Sequence, residues 1–202
     1  MLEPTIGPMA IPSRTEAAQI FVGLQPNERL MRHSTVVAEV AAFLCAATVR
    51  RGVEVDAALA ESAALLHDLD KMLAEADPLK ALGHGHAGAE WLRRRKHGEL
   101  ADAVACHPVM EIGHAPSYEA WAARAGLEGR VVAYSDKRAR QDVLSLDERF
   151  AKWHDHYPAS PPLDEAHERA RRLEQEICAL AGVRPEEVMR LAWVDEAMRA
   201  AA

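Results

Sequence analysis

Hydrophobic residues recur along most of the chain at the spacing of an α-helix. Val36, Val37, Val40, Ala41 and Leu44 repeat three or four positions apart, which predicts a long helix over 28–50. We find no segment with the sustained two-residue alternation of a half-buried strand, and no internal repeat. The pattern therefore predicts an all-α protein that folds as a compact helical bundle.

Capping residues and helix breakers divide the rest of the chain into further helices. Ser13 with Glu16 and Ser145 with Glu148 match the capping box, and Asp56 is a good N-cap. Loops are predicted over 77–86 and 109–116. The predicted helices are a short one after Ser13, then 28–50, 56–71, 87–96, 99–107, 117–124, 128–140, 145–156, 163–181 and 185–199.

A chain of 202 residues favours one main domain with small additions. We predict a lead-in over 1–27, irregular over 1–12, then a main helical domain over 28–157. A C-terminal extension over 158–202 follows a proline-rich corner and consists of a helical pair. The amphipathic faces of this pair leave open whether it packs on the core or joins two copies in a homodimer.

Charge and cysteine content narrow the classes of partner. The net charge of −7 argues against binding of a nucleic-acid polymer or an anionic membrane surface, but not against a small phosphorylated substrate at a metal site. Cys45, Cys106 and Cys178 are odd in number and form no CxxC pair, which favours a reducing, cytoplasmic setting. Cys106 is predicted to be a small buried hydrophobe. Neither a membrane-spanning apolar run nor a secretory signal is recognised.

Several polar side chains directly follow the most apolar segments. His67 and Asp68 follow 63–66, His107 follows 103–106, and Asp136 comes soon after 131–134. One such histidine is usually a hydrogen-bonded core residue. Burial of an unpaired carboxylate, however, costs on the order of several kcal/mol of folding free energy. A shared metal ion would satisfy several of these groups together. Imidazole and carboxylate without thiolate suit a divalent transition metal: Fe, Mn, Co, Ni or Zn, with Mg also compatible.

The order His33, His67-Asp68, Asp136 resembles the H…HD…D signature of the HD-domain phosphohydrolase superfamily. The stretch 65–71 resembles its LLHDxxK motif, 84–89 its HxxxGA helix start, and 134–138 its ADK stretch. The resemblance covers about 28–157. Asp70 stands where a small or apolar residue is more familiar in this family.

The resemblance implies a dinuclear ligand set. The first ion would be held by His33, His67, Asp68 and Asp136, and the second by a bridging Asp68 with His84 and His107. His86 remains an alternative to His84, or a neighbour of the ligands. The dinuclear subgroup includes diadenosine-tetraphosphate hydrolases and cyclic-di-GMP phosphodiesterases, but no HHExxDGxGY signature is present, which disfavours the latter.

The function implied by the resemblance is hydrolysis of a phosphoester or phosphoanhydride bond by metal-activated hydroxide, on a nucleotide or similar small molecule. Lys71 lies one helical turn after His67, which suggests contact with a substrate phosphate, and Asp68 with Lys71 would be central to catalysis. Lys137 and Arg138 are further candidates for binding phosphate. Two alternatives remain open at this point: a non-catalytic nucleotide sensor and a di-iron oxygenase on the same fold.

Overall fold

The computed structural model describes residues 11–105, 107–158 and 160–202, and these residues form an all-α protein, as predicted. Within them there is no strand, only an isolated bridge between Ala139 and Val143. The α-helices are α1 (Arg14–Gly23), α2 (Glu28–Arg50), α3 (Ala57–Leu66), α4 (His86–Arg94), α5 (Ala101–Ala105), α6 (Val109–Gly113), α7 (Ala115–Ala122), α8 (Leu127–Arg138), α9 (Leu146–His154), α10 (Pro161–Ala181) and α11 (Val194–Ala201). Cys106 and most of the predicted lead-in over 1–12 lie outside the described residues.

Three helices begin at the side-chain caps that the sequence indicates. Ser13 and Ser145 each form a complete capping box with a glutamate three residues later, and the Asp56 carboxylate accepts from the Leu59 amide at 2.9 Å. These caps satisfy amide groups that a helix cannot pair internally. The predicted starts of α1, α3 and α9 are therefore confirmed.

Helix α2 is the central element of the bundle. It packs against α3, α8, α10 and α11, and most of its residues are buried. By length and composition alone its 23 residues could cross a membrane, but 72% of its most apolar stretch is buried inside the protein. A core helix passes the same test, and α2 has the packing of one.

Helix α3 is shorter than the prediction of 56–71. It ends at Leu66, His67 and Asp68 form a turn, and a 3-10 helix follows over Leu69–Met72. The Lys71 amide donates to the carbonyl of Asp68 at 3.0 Å, which is the tighter spacing of a 3-10 turn. Because the winding changes here, the side chains of His67 and Asp68 do not continue the helical spacing of α3.

The predicted loop over 109–116 contains the short helix α6 and the start of α7. The segment predicted as a helix over 185–199 is helical only from Val194, after a 3-10 turn at Pro185–Glu187. The two C-terminal helices occupy different places: α10 packs on α2, α6, α8 and α9, whereas α11 packs mainly on α1.

The stretch before α11 is held by Glu39, a buried residue of α2. The Leu191 amide donates to the Glu39 carbonyl at 2.9 Å, and the Trp193 amide donates to its carboxylate at 3.3 Å. Arg190 adds an ion pair to the same carboxylate at 2.7 Å. These amides bond across to α2 rather than within a helix, which explains why the predicted helix begins late.

Candidate metal centre

Six side chains predicted as metal ligands converge at one place in the bundle, and we call them the metal centre. Each comes from a different part of the fold, at or near a helix end, except that two are adjacent in the chain. They are His33 in α2, His67 and Asp68 in the turn after α3, His84 just before α4, His107 between α5 and α6, and Asp136 in the last turn of α8.

The first half of the metal centre consists of His33, His67, Asp68 and Asp136. The Nε2 atoms of His33 and His67 are 3.2 Å apart. Asp68 Oδ2 lies 3.6 Å from His33 Nε2 and 3.4 Å from His67 Nε2. Asp136 Oδ1 lies 3.1 Å from His33 Nε2 and 3.8 Å from His67 Nε2. Two nitrogens and two oxygens thus face a common point.

The second half uses the other oxygen of Asp68. Its Oδ1 lies 3.3 Å from His84 Nε2 and 3.3 Å from His107 Nε2. Asp68 is therefore the one residue shared by both halves, with one oxygen facing each. A carboxylate can bridge two ions in this way, whereas an imidazole nitrogen cannot.

Hydrogen bonds fix which nitrogen each histidine presents. His67 Nδ1 donates to the Ala64 carbonyl and His107 Nδ1 to the Val104 carbonyl, both at 2.7 Å. His33 Nδ1 donates to the Arg140 carbonyl at 3.0 Å. Because each Nδ1 carries the proton in these bonds, each neutral ring presents its Nε2 lone pair to the metal centre.

The fourth histidine, His84, is oriented by a carboxylate. Its Nδ1 lies 2.9 Å from Asp70 Oδ2, while Asp70 Oδ1 is buried without a hydrogen-bond partner in the structure. Asp70 is the residue that departs from the family pattern, and here it turns His84 Nε2 toward Asp68. Both histidines are exposed, but the Nε2 of His86, the alternative, lies 3.9 Å from Glu111 instead of facing Asp68. The geometry thus favours His84.

Gly85 allows the chain to pass between these two histidines. Its φ of +80° is unfavourable for other residues, and a Cβ here would lie 2.6 Å from the Ala105 carbonyl oxygen and 2.8 Å from Pro108. The start of α4 is thereby held against the segment that carries His107. A glycine at this position keeps His84 and His107 close together.

The electrostatics of the metal centre favour positive charge. Burial opposes ionisation of Asp68 and Asp136, yet neighbouring histidines and lysines outweigh it and hold both pKa values well below the usual range. Burial also opposes protonation of His67, but Asp68 and Asp136 raise its pKa. Burial lowers the pKa of His107 to about 4, so its ring stays neutral and able to coordinate. Two buried carboxylates therefore lie among imidazole lone pairs.

This donor set fits divalent transition metals. Facing Nε2 lone pairs 3.2 Å apart repel each other unless a proton or a cation lies between them. The groups His33, His67, Asp68 and Asp68, His84, His107 each place their ligand atoms within 4.8 Å of one another. Nitrogen and oxygen donors without thiolate are the combination that Mn, Fe, Co, Ni and Zn accept in open sites. The metal centre could thus hold one ion or two.

The predicted phosphate-binding residues occupy three different environments. Lys71 is half-exposed at the mouth of the metal centre, with its Nζ 2.7 Å from Asp68 Oδ2. Lys137 is fully buried and donates to Asp136 Oδ2 at 2.6 Å and to the His107 carbonyl. Arg138 is also buried and binds Glu174, the Tyr134 hydroxyl and two carbonyls. Lys71 alone of the three faces the cavities described next.

Two cavities open from the metal centre, and both are bordered by His33, Asp68, Lys71 and Arg149. The cationic cavity has a volume of about 250 Å³ and adds Arg29 and Arg140 to this border. The second cavity has a volume of about 370 Å³ and is also bordered by His84, His107 and Asp136 of the metal centre. Its outer wall consists of Val109, Met110, Trp153 and Tyr157, together with Glu111.

Asp70 and Arg149 were not predicted as functional residues. A sequence signal for Arg149 exists, because Arg149 and Trp153 are four residues apart after the Ser145 cap and so share one face of α9. Only the packing of α9 shows that this face borders the metal centre. Asp70 was visible only as a departure from the family motif.

Comparison with known proteins identifies the family. The family model described as HD domain matches residues 30–141, which include all six side chains of the metal centre. No curated protein and no solved structure matches the chain significantly. Because the family match covers more than half of the chain, the chain belongs to the HD-domain superfamily, whose members are largely metal-dependent phosphohydrolases.

Proposed function

We propose that this protein is a metal-dependent phosphohydrolase that cleaves a phosphoester or phosphoanhydride bond in a nucleotide or similar small phosphorylated molecule. The observation that carries the proposal is the position of Asp68, whose two oxygens face two separate histidine groups beside two cavities. Ions held by these two groups would be within reach of a small molecule in the cavities.

Divalent ions at such a centre lower the pKa of water and offset negative charge on a phosphoryl group. The chain contributes the orientation of the ligands. Carbonyl oxygens and Asp70 hold the Nδ1 protons of the four histidines, so the rings need no reorganisation when metal or substrate binds. The buried Lys137 donates to Asp136 Oδ2 and so holds that carboxylate in place.

Lys71 is the residue best placed to contact the substrate. Its Nζ bonds to Asp68 Oδ2, yet half of its side chain is exposed at the border of both cavities. A lysine is a flexible point charge, so it can turn from Asp68 to a phosphate oxygen without backbone movement. We propose that Lys71 neutralises negative charge on the reacting phosphate.

The two cavities support a small substrate with unlike ends. The first is bordered by three arginines, and the second contains the metal centre with an apolar and aromatic wall on one side. Their volumes, about 250 and 370 Å³, suit parts of a small molecule. A nucleotide has this division, with phosphates at one end and an aromatic base at the other.

The proposal is tested by activity with defined metals. The purified chain, loaded separately with Mn²⁺, Co²⁺, Zn²⁺, Fe²⁺ or Mg²⁺, is incubated with a panel of phosphomonoesters, nucleoside polyphosphates and dinucleotides. Hydrolysis is measured as phosphate release and, for substrates that yield nucleotides or pyrophosphate, by chromatography of the products. We expect metal-dependent turnover that Asp68→Asn abolishes, with metal content measured in parallel. Asp102→Asn, an exposed aspartate in α5, is the matched control and should keep activity.

Other outcomes identify the alternatives. Phosphate release with a redox-inert metal such as Zn²⁺ would remove the di-iron oxygenase, whereas substrate-dependent oxygen uptake without phosphate release would replace the proposal with it. Tight nucleotide binding by the fully metallated protein with no turnover across the panel would indicate a sensor and would also contradict the proposal.

A further inference from the structure

The cationic cavity beside the metal centre contains three arginines that come from three separate elements. Arg29 lies in the first turn of α2, Arg140 just after α8, and Arg149 in α9. Lys71, in the 3-10 helix that follows α3, borders the same cavity. Four cationic side chains thus meet in a chain whose net charge is −7.

These three guanidinium groups have no carboxylate partner among the described residues, although acidic side chains are plentiful. Ten other arginines form ion pairs with aspartate or glutamate within the same part of the chain. Unpaired arginines on an open surface are common, but these three share one cavity. Like charges that converge in a cavity repel one another unless an anion lies between them.

Arg149 is the most informative of the three. Its guanidinium stacks on the ring of Trp153, 3.8 Å from the ring centroid, and its Nε is buried with no hydrogen-bond partner in the structure. Burial lowers the pKa of this group, Asp136 and Asp68 oppose that shift, and the charges of Arg140 and Arg29 add to it. A rigid, partly desolvated guanidinium with a free N–H donor is well suited to bidentate hydrogen bonding with phosphate.

Arg140 also connects this cavity to the metal centre. Its carbonyl accepts the Nδ1 proton of His33 at 3.0 Å, while its side chain borders the cavity. Arg149 borders both cavities, together with His33 and Asp68. A group bound by these arginines is therefore adjacent to a phosphate at the metal centre.

We propose that Arg29, Arg140 and Arg149 form a subsite for a second phosphate, so that the preferred substrate is a diphosphate or longer phosphoanhydride rather than a monophosphate. The inference rests on the proposed function, because it places the reacting phosphate at the metal centre. The second phosphate then lies in the cationic cavity, where it offsets three positive charges. Lys71, between the two positions, contacts the reacting phosphate.

Binding of non-hydrolysable probes tests the subsite without any need for turnover. Isothermal titration of the Mn²⁺-loaded full chain compares methylenediphosphonate, phosphonoacetate and methylphosphonate. The first carries two phosphonates, the second replaces one of them with a carboxylate, and the third lacks the second anion. We expect methylenediphosphonate to bind most tightly.

Variants then assign the difference to the arginines. Arg149→Met should weaken methylenediphosphonate binding about 10- to 100-fold and leave methylphosphonate within about 3-fold, as expected for loss of charge-assisted hydrogen bonds. Arg29→Met with Arg140→Met, both exposed residues, gives a second test that does not depend on the packing of Arg149 against Trp153. Arg32→Met is the matched control, since Arg32 lies one turn from Arg29 but pairs with Glu28.

The outcomes separate this inference from the proposed function. Equal weakening of all three probes in Arg149→Met and in the double variant, or no weakening, would overturn the subsite even if monoesters are hydrolysed. Equal affinity for phosphonoacetate and methylenediphosphonate would overturn the choice of phosphate. Arginine-dependent, selective binding of methylenediphosphonate in a protein that hydrolyses nothing would support the subsite and contradict the phosphohydrolase.

Discussion

Individual side chains at the metal centre are held by a neighbour that fixes their direction. Three histidines donate Nδ1 to backbone carbonyls, and His84 pairs with the Asp70 carboxylate. A backbone carbonyl stays in place when a side chain is substituted, but a carboxylate can be removed by mutation. His84 is therefore the ligand whose orientation depends on one other side chain.

We predict that Asp70→Ala lowers affinity for the second ion roughly 10- to 100-fold, as is typical when a partner of a metal-bound histidine is lost. The reason is that His84 loses its acceptor and can rotate or present the other tautomer. Metal titration followed by metal analysis measures the effect on each ion. Asp77→Ala, which removes the side-chain cap of the 3-10 helix over Pro78–Leu82, is the control and should change the affinity for neither ion. Unchanged second-ion affinity in Asp70→Ala would contradict the orienting role.

A second prediction distinguishes the two histidines around Gly85. His84→Ala should reduce the bound metal from two ions toward one, because its Nε2 faces Asp68 at 3.3 Å. His86→Ala should leave the metal content unchanged, because the His86 Nε2 lies beside Glu111 and not beside Asp68. Metal analysis of both purified variants makes the comparison. Loss of an ion in His86→Ala but not in His84→Ala would show that the ligand assignment is wrong.

At the scale of elements, the ends of helices create the metal centre. Most of its ligands lie at or beside a helix terminus, and the break after Leu66 lets His67 and Asp68 leave the line of α3. Helix α2 is different, since it runs through the bundle and contributes both His33 and Glu39. Two roles thus depend on the same helix, one at the metal centre and one toward the C-terminal segment.

The contact between Glu39 and the C-terminal segment gives a prediction about this element. Glu39→Gln should destabilise the protein by about 1–3 kcal/mol, the usual contribution of hydrogen bonds to a charged group. For a domain of this size that corresponds to a lower Tm by roughly 2–4 °C per kcal/mol. Thermal unfolding measures the loss of stability of the whole protein. Hydrogen exchange at the Leu191 and Trp193 amides shows whether this segment opens. Glu54→Gln, an exposed glutamate, is the control; an equal effect there would contradict the role of Glu39.

The sequence was sufficient for the helical class and for the helix starts, because caps and apolar spacing are local signals. It was not sufficient for the end of α3, since no glycine or proline lies between Asp56 and Gly83 except Pro78. The break after Leu66 has no local marker, and helix propensity alone does not locate it. The late start of α11 has no local marker either, because the amides of Leu191 and Trp193 bond to a residue about 150 positions earlier.

The convergence of the six side chains was predictable for two other reasons. Polar residues beside apolar runs must be satisfied when buried, so the positions of His67, His107 and Asp136 indicated a shared partner. The order of motifs in the HD-domain family added His33 and His84. The spacing of Arg149 and Trp153 indicated only a shared face of α9, because a charged residue in an amphipathic helix is usually solvated. Its importance depends on where α9 packs, and this information is in the fold alone.

For the whole molecule, the metal centre connects segments far apart in sequence. Its ligands come from α2, the turn after α3, the segment before α4, the segment after α5, and α8. Several of these segments are short or lie in turns, so few local hydrogen bonds hold them. An ion bound by all of them stabilises the folded chain only, since the unfolded chain has no assembled site.

Removal of metal should therefore lower the stability of the whole protein. At a metal concentration about 100 times the Kd, binding contributes about 2.7 kcal/mol, which corresponds to a fall in Tm of roughly 5–11 °C after chelation. Thermal unfolding of metal-loaded and chelator-treated protein measures the shift, and added Mn²⁺ should reverse it. The Asp68→Asn variant is the control, because without the shared carboxylate its Tm should respond little to either treatment. An unchanged Tm in the native chain despite verified loss of metal would contradict this role, since the segments would then be held together by packing alone.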